Sequence, residues 1–277
     1  MDLITQIQLI LLLVLNVFFT FLGALLNAVV ALSLWKSKQL RKKTCYFMII
    51  VLSIFDSLAV ITNHPIQAIT SVAWLTKQDD ALPTLTICEK VVNPFHAFSF
   101  LALMVMSFDR YLATSRPIFH RTSVTKRRLA IILGLSCFID INLRVLSVTV
   151  LEVYFQAVST IYFLLLVAIY LFINIKLLNL ARRIRQNPIS PQSTVKLKHI
   201  STCLLTMVCL VLFSFPVIFY TILILLGKLQ SINVGLSVIW VNTTVTMNST
   251  FNCMIYFWKN ATLRKEGMKF LRSLKNK

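Results

Sequence analysis

Along the 277-residue chain, long apolar runs alternate with short polar or basic ones, and seven of the apolar runs reach membrane-crossing length, at about 7–35, 44–72, 86–114, 127–149, 152–180, 197–226 and 232–258. A helix rises roughly 1.5 Å per residue, so about 20 residues cross the roughly 30 Å of bilayer hydrocarbon. Lipid offers no hydrogen bonds to a backbone, so each run predicts one spanning helix. A further segment, about 259–273, has a different pattern: Leu263, Met268, Phe270 and Leu271 are set among lysines and arginines. That spacing predicts an amphipathic helix lying on an anionic membrane surface, with membrane lipids as partners. The expected fold is an all-α membrane protein, a seven-transmembrane helix bundle with a short amphipathic eighth helix, forming one domain over 1–277.

Prolines refine the picture. Pro65 and Pro216 lie inside the second and sixth runs, and Asn93-Pro94 predicts a kink near the outer end of the third. Trp74, Asp79, Asp80 and Pro83 read as the connection between the second and third helices, and Pro188 and Pro191 as the centre of an inner linker. No glycine or proline separates the fourth run from the fifth, which implies a very short outer loop.

Composition agrees, with 57% hydrophobic and 13% charged residues and a mean hydropathy of +0.80. The net charge of +19 would suit a nucleic-acid binder, but 24 of the 28 lysines and arginines fall in four clusters, 36–43, 110–128, 176–198 and 259–277. These occupy alternate connections, which places them on the cytoplasmic side, with an extracellular N-terminus and a cytoplasmic C-terminus; nucleic acid is not an expected partner. The first run has no basic segment before it and no small-residue cleavage site, so it reads as a spanning helix and not a removed signal peptide.

Few positions carry chemistry. The chain shows no metal-ligand cluster, no phosphate-cradling glycine loop and no nucleophilic triad, and His64, His96, His120 and His199 are scattered, so it is not expected to be an enzyme. Asp56 places a carboxylate near mid-membrane, where an ionisable group is expensive and marks function by default. Asp140 and Arg144, four apart on one helix, can neutralise one another. Asp109-Arg110-Tyr111 ends the third apolar run and is followed by Arg116, Arg121 and Lys126, an acid and a base side by side where the helix leaves lipid. A membrane-surface switch and a static anchoring ion pair both fit that position.

These elements, in this order on seven spans, resemble rhodopsin-like (class A) G-protein-coupled receptors. Asp109-Arg110-Tyr111 matches the family's DRY motif, Asn27 and Ser53-Ile54-Phe55-Asp56 its first- and second-helix motifs, Pro117 its inner-loop proline, and Asn252-Cys253-Met254-Ile255-Tyr256 its NPxxY with cysteine for proline. Phe257 and the basic tail are similar to its eighth helix. The resemblance implies a plasma-membrane receptor that shifts between two packings, with Arg110, Tyr170 and Tyr256 facing a heterotrimeric G protein. Asn252 and Tyr111 belong to the same switch. It also implies a polar core of Asn27, Asp56, Ser99, Asn248 and Ser249, holding either an allosteric sodium ion or a water-mediated network; no other metal or cofactor is expected. Pro216 resembles the sixth-helix hinge, where Ser214 replaces the usual tryptophan and Phe213 or Phe215 is left to substitute by packing.

Departures bear on ligand and restraint. Relatives often restrain the arginine with an acid on helix six, near the basic Lys196 here, which predicts appreciable ligand-independent activity. Cys88 is 22 residues before Arg110 instead of 25, and no cysteine lies between Cys137 and Cys203, so no disulfide is expected. The short second outer loop and proline-less fifth helix are similar to melanocortin receptors. Val92 stands where amine receptors carry aspartate, and the seventh run has no lysine for a retinal Schiff base, which excludes an opsin. Candidate pocket residues are Asn93, His96, Asp140, Arg144, Glu152, Asn242 and Thr246, and the extracellular ligand is expected to be a small molecule, lipid or short peptide. The alternatives are a signalling-impaired homologue acting as decoy, scaffold or dimer partner and, more remotely, a transporter or channel.

Overall fold

The computed structural model describes residues 2–92, 94–149, 152–186, 192–225 and 234–275. Among them are eleven α-helices: α1 Leu3–Lys36, α2 Lys38–Arg41, α3 Thr44–Leu75, α4 Leu82–Val92, α5 Pro94–Ser115, α6 Pro117–Ser123, α7 Lys126–Thr149, α8 Glu152–Gln186, α9 Gln192–Leu225, α10 Val234–Lys259 and α11 Ala261–Lys275. Five segments are long and apolar enough to cross a membrane: Leu3–Lys36, Thr44–Leu75, Pro94–Ser115, Ile161–Gln186 and Ile200–Tyr220. Their outward side chains are themselves apolar, as with Phe21, Leu25, Phe172 and Leu212, which suits a lipid environment. The chain is an all-α, multi-pass membrane protein. Helices α7 and α10, of 24 and 26 residues, are long enough to span but more polar, α7 through Asp140 and Arg144 and α10 through a ladder of Asn, Ser and Thr.

Local chemistry sets the helix ends. The Asp2 carboxylate accepts from the Thr5 amide at 3.1 Å and caps α1, which stops before the extended Ser37. Helix α3 closes with Lys77 in the left-handed region at φ 54°; its amide donates to Trp74 O, and that of Gln78 to Ala73 O. Glycine is the residue this closure favours, because a Cβ crowds the following carbonyl there. Lys77→Gly should therefore stabilise the folded protein by roughly 0.5–1 kcal/mol and Lys77→Val should destabilise it, read as opposite shifts of thermal midpoint in detergent.

Helices α4 and α5 lie on either side of Asn93, and the kink expected at Asn93-Pro94 falls on a residue outside the described ones. Two features differ from expectation. Pro83 lies inside the first turn of α4 and not in a loop, a position where its missing donor is harmless. The inner connections are also more helical than their composition suggested. Helix α8 continues to Gln186, α9 begins at Gln192, and the loop after Arg116 is helix α6 with Pro117 at its start. Pro188 and Pro191 lie outside the described residues.

The chain divides into two compact units, one made of Met1–Lys36, Ser53–Ser99 and Val208–Lys277, the other of Ser37–Leu52 and Phe100–Met207. In the first, α1 packs along α10 and α11. Leu9, Leu12, Leu236 and Ile239 form a buried cluster against Trp74, Leu75 and Trp240. Gly23 lies where any Cβ would run into Val60 of α3 and Thr250 of α10, so its lack of a side chain permits the close approach. Helix α11, capped by Asn260 Oδ1 on the Leu263 amide at 3.1 Å, buries Leu263, Gly267 and Phe270 and exposes Arg264, Lys265, Lys269 and Arg272. Lys36 Nζ stands 4.5 Å from the centre of the Phe270 ring, a cation–π contact. In the second unit, α7 packs on α8, and Leu177, Ile200 and Cys203 gather Tyr111, Ile173, Ala181, Ile184 and Leu204.

Candidate functional site

The polar residues of the first unit form a chain of contacts in an otherwise apolar interior. Asp56 is 1% exposed; its Oδ1 accepts from the Ser99 hydroxyl at 2.5 Å, and its Oδ2 lies 3.5 Å from Asn252 Nδ2. The Ser249 hydroxyl shares the same carboxyl. Asn27 donates to Gly23 O at 3.0 Å and to Ser249 O at 3.3 Å, tying α1 to α10. The side-chain oxygens of Asn27, Asn248 and Asn252 are buried without a hydrogen-bond partner among the described residues. The Asp56 carboxyl thus meets two hydroxyls and a carboxamide nitrogen, and the same unit holds three buried carboxamide oxygens that still have lone pairs to offer. Asn27, Asp56, Ser99, Asn248 and Ser249 share this unit, and Asn252, assigned from sequence to the G-protein switch, reaches the same carboxyl. Tyr256, one turn on, is 3% exposed.

A second polar cluster in this unit escaped the sequence reading. His64 Nδ1 and Asn16 Oδ1 are 2.6 Å apart, and Asn16 Nδ2 donates to Thr243 Oγ1 at 2.9 Å and to Leu12 O at 2.8 Å. A carboxamide oxygen only accepts, so the imidazole carries its proton on Nδ1. The ring stacks on Phe19 at 5.9 Å, and the nearby Gln67 side chain is fully buried. Nothing in sequence pairs residues 48 positions apart. The available signal was weaker: His64 and Gln67 share one face of an apolar helix at i and i+3.

Among the pocket candidates, His96 Nε2 and Thr246 Oγ1 meet at 2.9 Å, and the Thr246 hydroxyl donates to Asn242 O at 2.7 Å. With its proton committed to that carbonyl, Thr246 accepts, and His96 is the donor. Asn242 is half-buried beside them. Asp140 and Arg144 belong to the other unit and form an ion pair at 2.7 Å. Asn93 and the side chain of Glu152 lie outside the described residues. On α9 the two hinge candidates separate: the Phe213 ring lies 4.9 Å from that of Phe251, whereas Phe215 is 62% exposed and stacks on Phe219 at 6.2 Å. Phe213 is the one positioned to brace the turn before Pro216.

The second unit contains the acid–base end of α5. The carboxylate of Asp109 is fully buried, and Arg110 donates to its Oδ2 through Nε at 2.9 Å and through Nη2. Its other oxygen, Oδ1, is 2.8 Å from His120 Nε2 on α6. Each oxygen therefore has its own base. His120 was not among the expected residues; a lone histidine in a basic loop reads as solvated. Tyr111 packs in the α8–α9 cluster, and Tyr170 is fully buried with its ring 5.6 Å from that of Phe100 and its hydroxyl among Ser107, Asn174 and Thr206.

Residues 26–156 match the model of the 7 transmembrane receptor (rhodopsin family), just under half of the chain. A melanopsin of Branchiostoma belcheri is 38% identical over 104 residues, 37% of this chain and 14% of that protein. The D(1C) dopamine receptor of Xenopus laevis is 30% identical over 131 residues, 47% of this chain and 27% of that protein. The matches thus span at most about a quarter of either relative, and neither is a melanocortin receptor. Asn27, Asp56, Ser99 and the Asp109-Arg110-Tyr111 end of α5 all lie in the stretch that is similar to the rhodopsin-family receptor model.

Proposed function

We propose that the chain is a plasma-membrane G-protein-coupled receptor that crosses the bilayer seven times with its N-terminus outside. It converts an extracellular small-molecule, lipid or short-peptide signal into activation of a heterotrimeric G protein. The observation that carries this reading is the buried Asp109 carboxylate holding Arg110 at the end of an apolar helix, inside the family-matched stretch. A guanidinium has five donors on a rigid plane, so it exchanges one set of acceptors for another without losing its charge. Release of Arg110 from Asp109 is then the step that opens an inner face for the G protein, with Tyr170 and Tyr256 as further members of the switch. The ligand contributes only its differential affinity for the two packings.

The test is G-protein dissociation across the major classes in cells expressing wild type or Arg110→Ala at matched surface level. Arg110→Ala should remove most of the basal signal; equal signals from the two would defeat the reading. Val92 removes the anchoring carboxylate that amine receptors carry, so dopamine, for which the Xenopus relative is named, is not carried over. His96, Thr246 and Asn242 would line the ligand site with neutral hydrogen-bonding groups.

A sodium ion is the occupant we assign to the Asp56 cluster. Its one carboxyl, the Ser99 and Ser249 hydroxyls and the unpartnered Asn248 and Asn27 oxygens are the hard neutral and anionic ligands such a cation takes, completed by water. Water alone filling the same network is the competing possibility. If the ion binds, agonist affinity should depend on sodium in wild type and lose that dependence in Asp56→Asn; indifference in both proteins would exclude it.

A signalling-impaired homologue is the second reading, and one observation favours it. Cys253, where the family has proline, lies buried in α10, which continues unbroken from Val234 to Lys259. The same dissociation panel separates the two, since a silent homologue shows wild type and Arg110→Ala alike at every G protein.

A further inference from the structure

We propose that His120 is a positioning residue of this switch, its proton setting how readily Arg110 leaves Asp109; the proposal rests on the reading of Asp109 and Arg110 as the G-protein switch. The geometry is a carboxylate shared between two bases at opposite oxygens: Arg110 Nε at 2.9 Å from Oδ2, His120 Nε2 at 2.8 Å from Oδ1. Asp109 is fully buried, while His120 and Arg110 keep 16% and 13% of their side chains exposed, so the imidazole can exchange protons with water. Histidine is the side chain whose charge changes between about pH 5 and 8.

The sign follows from what release leaves behind. With His120 neutral, withdrawing Arg110 leaves a buried carboxylate facing only a neutral hydrogen bond, which is costly. With His120 protonated, Asp109 keeps a cationic partner after Arg110 has gone, and before release the two cations repel each other across it. Protonation therefore lowers the cost of release, and acid on the inner side favours the signalling state. The proton comes from water and returns to it; no bond other than N–H is made or broken.

Among the described residues, the only carboxylate paired with His120 or Arg110 is Asp109. The ionisable groups nearest His120 on neighbouring elements include Asp109, Arg110 and Tyr111 on α5, Arg116 and Arg121 flanking His120, Lys126, Arg127 and Arg128 at the start of α7, Lys38 and Arg41 on α2 with Lys42 and Lys43 after it, Cys45 and Tyr46 at the start of α3, and Cys203 on α9, while Asp140 and Arg144 pair with each other farther along α7. Of these, Lys126 Nζ and Arg128 Nη1 donate to the backbone oxygens of Arg41 and Ser123. Asp109 is the one carboxylate in 100–139 and in 37–52, so any charge gained at His120 is felt there first.

The experiment uses the full chain in two ways. In cells with cytosolic pH clamped between about 7.8 and 6.2, basal G-protein activation by wild type should rise about fivefold toward acid. His120→Gln should stay flat, and His120→Arg, a permanent cation, should signal at the acid level throughout. A flat wild-type profile with a signal that Arg110→Ala removes would overturn the inference and leave the switch standing; Arg110→Ala equal to wild type would remove the switch instead. The second measurement is independent of signalling. In lipid nanodiscs, solvent exchange of the Arg110 Nε proton is followed by NMR, its signal assigned by its loss in Arg110→Lys. The ratio of wild-type to His120→Gln exchange rates, taken at equal pH, should increase several-fold toward acid. A constant ratio would overturn the proposal whether or not the chain signals.

Discussion

Asp109→Ala is expected to yield a protein that folds less stably yet signals more strongly than wild type. Arg110 would lose the carboxylate that accepts from its Nε and Nη2, and His120 its partner on the opposite oxygen. Breaking one side of a buried ion pair costs about 3–5 kcal/mol. Arg110 is 13% exposed and at a helix end, so its long side chain can partly recover hydration, and roughly 2–3 kcal/mol is the more reasonable loss. The direction of the functional change is the informative part. A static anchor would lose stability and gain nothing, whereas a restrained switch loses its restraint and should show raised basal G-protein activation per receptor at the surface. The two readouts are thermal midpoint in detergent and basal signal normalised to surface expression. Low stability with unchanged or lower basal signal would return Asp109 to the role of an anchor.

What was legible in the sequence follows from how strongly lipid constrains a chain. A run such as Leu9 to Leu34 must be helical, because no other local structure satisfies its backbone in hydrocarbon. Asp56 was legible for the converse reason: a carboxyl amid apolar residues has to be there for something. Pairings were not. The contact of His120 with Asp109 depends on α6 forming a helix after Pro117 and carrying residue 120 back to the helix it left, and composition shows only a basic loop. Asn16, His64 and Thr243 belong to three helices, and nothing in any one of them says which neighbour it will meet. The hinge shows an intermediate case, where Phe213 and Phe215 are two apart on a helix and so point away from each other; only the packing tells which ring faces Phe251.

The largest structural effect is expected at Gly23, set against Gly134 as its control. Both are helical glycines in apolar surroundings, and intrinsic propensity alone favours alanine at either by about 1 kcal/mol. Their environments reverse that expectation at one of them. A Cβ at Gly134 meets nothing within 4 Å, so Gly134→Ala should be neutral or stabilising by up to about 1 kcal/mol. At Gly23 the same atom runs into the γ-carbons of Val60 and the hydroxyl of Thr250. Val60 is β-branched and holds one rotamer in a helix, so its two γ-carbons cannot both swing aside even where the Thr250 hydroxyl turns away, and α1 must move away from α3 instead. Such overpacking costs typically about 1–3 kcal/mol, and more for a larger side chain. Displacement of α1 also stretches the bonds that cross this seam, Asn27 to Ser249 and Asn16 to Thr243 and His64, which leaves buried polar groups unpaired where lipid cannot replace them. Gly23→Ala should therefore lower the thermal midpoint and surface level, Gly23→Val should abolish surface expression, and Gly134→Val should leave it intact. Were Gly23→Val to reach the surface as well as Gly134→Val, the close approach of α1 to α3 and α10 would not hold this unit together.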